Sequence, residues 1–259
     1  MRGNDVLVIT ERDRKLFDAL GMLRVVDRQQ ARTITGRVDV SVSTTNTRLK
    51  KLVDAGLLNR FFIGTAAGGV KALYALNSKS AALVSDSARP LNRRRDSVLI
   101  SDPFVQHQLA VNDVLIPVKF LPVPSPDVHL VRMAVFSQVL SRATPLIPDG
   151  YLELANPAGI HPMFCEVDLG TEPQRTWATK ARLYLQLATT GEYEQLFRQS
   201  RFRVLVIADS ERRLLHIRRT VATQTSKIFF FSTLTTIRRA GLLASHWLRP
   251  EGEGRQALL

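Results

Sequence analysis

The chain has 259 residues, 45% apolar and 23% charged, enough for one large domain or two small ones with ordinary buried cores. That balance excludes wholesale disorder, and no run approaches the roughly 18 apolar residues of a membrane span. Lys and Arg number 36 against 23 Asp and Glu, a net charge of +13 that favours nucleic acid or an anionic surface as partner.

The charge is unevenly spread. Residues 1–95 carry 18 basic and 8 acidic side chains, whereas residues 96–200 carry 7 and 11. Residues 201–259 are basic again, with 11 and 4. The basic parts suit phosphate, and the acidic middle is where carboxylates could gather around a metal. The opening MRGNDVLVIT lacks the basic-then-apolar build of a signal peptide, and the single Cys165 cannot form an internal disulfide. A reducing cytoplasm is the expected location.

Thr10 is a good N-cap with Asp13 three residues on, and Leu16, Phe17, Leu20 and Leu23 follow at helical spacing. A short second helix is predicted about Asp27–Thr33. A third is predicted about Thr44–Ala55, with Leu49, Leu52 and Val53 inward and Gly56 as its stop. Leu57–Ile63 reads as a strand, Gly64–Gly69 as a glycine-rich turn, and Val70–Leu76 as the returning strand. Three helices followed by such a hairpin make a winged helix-turn-helix.

In that arrangement the third helix enters the major groove. Thr44, Thr47, Arg48 and Lys51 share one outward face, flanked by Ser43, Asn46 and Lys50, and Lys71 on the hairpin is placed to touch DNA backbone. Hydroxyls and an amide reach base edges, while Arg and Lys take phosphate or guanine. The alternative is a solvated helix face, or one used for protein contacts. Periodicity then fades between Asn77 and Asp102, where Arg93-Arg94-Arg95 suggests a basic linker. The expected organisation is 1–78 winged helix, 79–102 linker and 103–259 a mixed α/β domain.

The second domain opens with a helix from Val105 to about Val118. Strands are expected about Val128–Val135, Tyr151–Leu154 and Met163–Asp168. Thr171 and Pro173 then start a helix that runs to Thr189 and stops at Gly191. Arg203–Ala208 is a buried strand, followed by a basic helix Arg212–Thr223, a strand Ile228–Phe231 and a helix Leu234–Ala244. The order αβββαβ with a βα extension gives an α+β fold with a mixed sheet.

Three carboxylates sit at strand ends. Asp149 follows Pro148 before one strand, and Glu166 and Asp168, two apart on the next, share a face. If those strands pair, Asp149 and Glu166 converge, and hard oxygen ligands at close range suit Mg²⁺ or Mn²⁺. On the following helix Trp177, Lys180, Ala181, Tyr184 and Ala188 form one stripe, which could aim Lys180 back at the carboxylates to orient a water. Under the alternative reading Asp149 is a turn residue, Glu166 and Asp168 pair with basic neighbours, and Lys180 is one of those partners.

Pro148-Asp149 followed by Glu166-x-Asp168 in this element order resembles the PD-(D/E)XK nuclease superfamily. Asp168 stands where that superfamily usually has lysine, and Lys180 looks like a lysine moved to the next helix. The whole chain, roughly residues 10–248, resembles the replication-relaxation family of plasmids and integrated elements. The resemblance rests on TERD, RLKKLVDAGLL, Tyr74, His107-Gln-Leu, PDG, EVDLGTE, Lys180 with Tyr184, and FFFST. It implies a DNA-handling role in replication, relaxation or mobilisation, with double-stranded DNA as partner. In a cleaving enzyme Asp149, Glu166 and Asp168 would hold the metal and Lys180 would act beside it. The alternative is a non-catalytic replication accessory factor or transcriptional regulator, whose second domain clamps DNA or binds protein, either a second copy of the chain or other element-encoded proteins. No zinc spacing, phosphate loop or nucleophile elbow is present, and no clear set of strand aromatics points to RNA.

Overall fold

In a computed structural model, described for residues 7–65, 68–84, 88, 90–91, 93–123, 125–170 and 173–259, helix α1 (Glu11–Leu23) begins at a reciprocal cap. Asp13 N–H donates to the Thr10 hydroxyl at 3.3 Å, and Thr10 N–H donates to the Asp13 carboxylate at 2.7 Å. Its apolar stripe buries Leu16, Phe17, Leu20 and Leu23. A short strand β1 (Val25–Asp27) leads into α2 (Arg28–Ile34), which Asp27 caps. Helix α3 (Val42–Asp54) is capped by Ser41 and buries Thr45, Leu49, Leu52 and Val53.

Strands β2 (Leu58–Gly64) and β3 (Val70–Leu76) form the expected antiparallel hairpin. The sheet is wider than the hairpin, with order β1-β3-β2-β4. Its outer strands are β1, antiparallel to β3, and β4 (Val98–Leu99), parallel to β2. Both are too short to carry a readable alternation.

Part of the stretch 79–102 is therefore built into the fold. Helix α4 (Ser78–Val84) starts where Ser80 N–H donates to the Asn77 side chain at 3.0 Å. The basic run is likewise engaged: Arg93 pairs with Asp102 at 2.8 Å and Arg95 with Asp54 at 3.3 Å.

The chain divides into two compact units, Met1–Ile116 and Pro117–Leu259, and the division falls within helix α5 (Pro103–Phe120). Its first part is tied to the N-terminal elements by buried amides. Asn112 donates to the Val25 carbonyl at 2.6 Å, and Gln108 donates to Asn112 at 3.0 Å. Gln30 donates to the Leu109 carbonyl at 3.0 Å and to Asp113 at 2.7 Å.

The second unit has a five-stranded sheet in the order β5-β6-β7-β8-β9. Strands β5 (His129–Ala134), β6 (Gly150–Asn156) and β7 (Gly159–Asp168) are an antiparallel meander. Strands β8 (Arg203–Ala208) and β9 (Phe229–Thr233) continue it in parallel. Parallel neighbours need crossovers. Helices α6 (Gln174–Thr189) and α7 (Glu192–Phe197) make the first, and α8 (Glu211–Ala222) makes the second. Helix α9 (Leu234–Ala240) ends four residues earlier than expected, at Gly241 with φ of 79°. Thr171, the expected cap of α6, and Glu172 lie outside the described residues; Pro173 takes the cap position with no side-chain hydrogen bond.

The core of this unit is aromatic. Phe164 on β7 lies 5.0 Å from Tyr151, 5.1 Å from Phe202 and 5.5 Å from Tyr184, ring centre to ring centre. The protein is thus α+β with mixed sheets. No described helix is long and apolar enough to cross a membrane.

Replacing Asn112 by Ala removes the buried donor to Val25 and the acceptor for Gln108. We expect a loss of about 2 kcal/mol, the usual effect of stranding buried polar partners, read as a lowered urea midpoint.

Candidate functional site

With Leu49, Leu52 and Val53 inward, α3 turns Ser43, Thr44, Asn46, Thr47, Lys50 and Lys51 to solvent. A shallow concavity of about 320 Å³ lies along this face, lined by Arg37, Ser43, Thr44, Thr47, Arg48 and Lys51. Arg37 was not singled out in the sequence. It follows Gly36, whose φ of 63° turns the chain after α2 and brings the arginine alongside α3.

The basic residues of this face are not equivalent. Arg48 donates from Nε to Asp13 at 2.9 Å, and its Nη2 donates both to the Val8 carbonyl at 2.7 Å and to Asp13. Burial opposes ionisation of Asp13, but hydrogen bonds from Arg48 and Thr10 outweigh it and hold the carboxyl below its usual range. Arg48 thereby fastens α3 to α1. Helical spacing alone places it outward, because its partner is 35 residues away.

Lys50 pairs with Asp54 at 2.7 Å and Lys71 with Asp27 at 3.0 Å. Solvent screens such exposed pairs, so either lysine can exchange its partner for phosphate. Lys51 makes no ion pair among the described residues.

The carboxylates lie in the second unit. Gly150 faces Cys165 across the β6–β7 ladder, which sets Asp149 beside Glu166 at the sheet end. Asp149 accepts from the Val167 backbone N–H at 2.7 Å. Glu166 is 1% exposed. It accepts from Lys180 Nζ at 2.9 Å and from the Tyr184 hydroxyl at 2.5 Å. Burial pushes the Glu166 carboxyl up to about 7, against the pull of Lys180 and with the repulsion of Asp149. Burial likewise pushes the Tyr184 hydroxyl well above its ordinary range.

Asp168 shares the face of Glu166 but has different partners. Its Oδ1 accepts from Arg213 Nε and Gly170 N–H, each at 2.7 Å. Its Oδ2 accepts from Arg213 Nη2 at 2.8 Å and Trp177 Nε1 at 2.7 Å. Burial resists ionisation here too, but these bonds prevail and the carboxyl stays below its usual value. The sequence reading missed Arg213, since nothing local links residue 213 to residue 168. Cys165 is buried, and burial raises its thiol well above the ordinary range.

Expected residues Asp149, Glu166 and Lys180 are therefore brought together, while Asp168 is held by a bidentate arginine and an indole. Both Asp168 oxygens are saturated, each accepting two hydrogen bonds from Arg213, Gly170 and Trp177, whereas each Glu166 oxygen accepts one, from Lys180 or Tyr184. Among the described residues no three His, Cys, Asp or Glu side chains form a metal-holding group.

Replacing Lys180 by Met leaves Glu166 buried and uncompensated. At pH 8 we expect a loss of about 1.4 kcal/mol, the cost of protonating a carboxyl one unit above its folded-state value of about 7, shrinking towards pH 5. The sign follows from Glu166: its raised folded-state pKa confers stability that is present below the unfolded value and lost as pH rises through about 7. The double variant Lys180→Met/Glu166→Gln is expected to recover most of the loss, so guanidinium titrations of the four-protein cycle at both pH values check the assignment.

The sequence model of the family described as replication-relaxation matches residues 17–198. That span takes in the α3 face, Asp149, Glu166, Asp168 and Lys180, and ends before Arg213. No characterised protein and no solved structure matches the chain.

Proposed function

The chain belongs to the replication-relaxation family, and from that premise we propose that it is a DNA-binding protein acting in the replication or relaxation of a plasmid or integrated element. The exposed face of α3 carries this reading. It presents hydroxyls, an amide and lysines over an inward apolar stripe, in the stretch of the chain with the largest basic excess. Helices α1–α3 and the β2–β3 hairpin serve as a winged helix-turn-helix, with α3 in the major groove of double-stranded DNA and the hairpin beside it. Ser43, Thr44, Asn46 and Thr47 contact base edges, whereas Lys50, Lys51 and Lys71 contact phosphate. Arg48 positions the helix through Asp13.

The second unit has the order of a PD-(D/E)XK domain and acts here without metal-dependent cleavage, as a clamp on DNA or a surface for protein partners. The support is the pairing of Glu166 with Lys180 and of Asp168 with Arg213. A cleaving enzyme using Asp149, Glu166, Asp168 and Lys180 with Mg²⁺ or Mn²⁺ is the competing reading. What favours it is the Glu166 carboxyl, raised to about 7 beside Asp149.

Fluorescence anisotropy with duplex DNA over a range of salt tests the first part. Lys51→Ala should weaken binding and reduce the log–log salt slope by about 1. Arg48→Ala should instead lower stability by about 3 kcal/mol through the stranded Asp13 carboxylate. An unchanged slope in Lys51→Ala would remove α3 from the interface. Incubation with supercoiled plasmid and Mg²⁺ or Mn²⁺ tests the second part: intact plasmid is expected, and nicking that disappears in Glu166→Ala would establish the cleaving enzyme instead.

A further inference from the structure

At the other end of the second sheet, away from the carboxylates, strands β8 and β9 begin at a concavity of about 650 Å³. Arg201, Arg203, Arg249, His161 and Phe230 line it, and no Asp or Glu does. Half-buried arginines in a folded domain ordinarily meet a carboxylate. The Asp168–Arg213 and Asp13–Arg48 pairs show this protein following that rule elsewhere. Arg203 and Arg249 depart from it, having no carboxylate partner among the described residues.

The two guanidinium groups are nonetheless held in place. Arg249 lies 4.2 Å over the Phe230 ring centre and donates to the Ser226 carbonyl at 3.0 Å. Arg203 lies 5.7 Å over the same ring. His161 orients Arg203 from its other side. Its Nε2 lies 2.9 Å from the Asn156 side-chain oxygen, which can only accept, so this nitrogen carries the proton. Nδ1 is left to accept from Arg203 Nη1 at 3.3 Å. Burial and the nearby Arg203 charge hold His161 below its ordinary pKa, which keeps the ring neutral and able to accept. Burial also lowers both arginines, and the charge of Arg203 further lowers Arg249. Each guanidinium is thus desolvated without a carboxylate beside it, and an anion in the concavity they both line relieves that penalty.

We propose that this pocket binds a phosphate group, with Arg203 and Arg249 as paired donors, Arg201 at the exposed rim and His161 as the residue that positions Arg203. A guanidinium donates through a planar fork that matches phosphate oxygens, and arginine stays charged where a lysine would lose its proton. The phosphate can come from a nucleic-acid backbone or from a free nucleotide, since the two present the same oxygens. The site is separate from the α3 face and does not depend on it.

Arginine modification by phenylglyoxal in a phosphate-free buffer, mapped by peptide mass spectrometry on the full chain, tests this directly. The probes are inorganic phosphate, dTMP and single-stranded oligothymidylate. At about ten times its Kd, a probe that occupies the pocket should slow modification of Arg203 and Arg249 by about tenfold. Protection by the oligonucleotide alone assigns the site to a nucleic-acid backbone, and protection by dTMP as well assigns it to free nucleotides too.

Affinities for the same probes provide a second readout. Arg203→Gln and Arg249→Gln should each weaken binding by about tenfold. Arg201→Glu, at an exposed position, should weaken it without disturbing the fold. Measuring all of these in a Lys50→Ala/Lys51→Ala background keeps failure of the α3 interface distinguishable from failure of this pocket. Absence of protection by all three probes, together with unchanged affinity in the folded Arg201→Glu and Arg203→Gln variants, would overturn the proposal.

Discussion

A carboxylate removed from water must find a cation or a proton, and in this protein the pairs that meet that demand also hold helices in place. Asp13 and Arg48 join α1 to α3. Glu166 and Lys180 join β7 to α6, and Asp168 and Arg213 join β7 to α8. Each pair contains a carboxylate less than 4% exposed, so removing one partner strands a charge that the interior tolerates poorly. These contacts add to the apolar packing that seats each helix. In the first unit that fixes the face α3 presents.

The same rule separates two kinds of charged cluster in the second unit. Glu166 and Asp168 each meet a cation, with the indole of Trp177 and the hydroxyl of Tyr184 supplying further hydrogen bonds. At the opposite end of the sheet, Arg203 and Arg249 are ordered by Phe230, His161 and a backbone carbonyl but are not neutralised. A cluster closed on itself reads as scaffold. A cluster held rigid with its charge unanswered reads as a site, because preorganised donors lose little on binding.

Much of this architecture was legible in the residues. The cap at Thr10, the inward stripe of α3 and the β2–β3 hairpin are local patterns, each written within about a dozen residues. Strands β6 and β7 were legible too, while the pairing that brings Asp149 to Glu166 was a condition that the structure meets. Strands β1 and β4 were not, because two or three residues carry no periodicity and form only against an existing sheet edge. The stretch 79–102 read as a linker because ion pairs such as Arg93–Asp102 and Arg60–Asp96, and not apolar repeats, secure it.

The sequence by itself determined the order of the longer helices and strands, the basic excess and the residue types available to each face, because these depend on neighbours along the chain. Only the tertiary structure decided which charges are spent and which remain. Arg48 and Lys51 are three positions apart on one helix, yet one closes a buried pair with Asp13 and the other stands exposed. Arg213 and Arg203 flank the same short stretch of chain, yet one meets Asp168 and the other meets no carboxylate. The reason is that a side chain's electrostatic partner is set by proximity across the fold, over separations of 35 and 45 residues here, which no local pattern encodes.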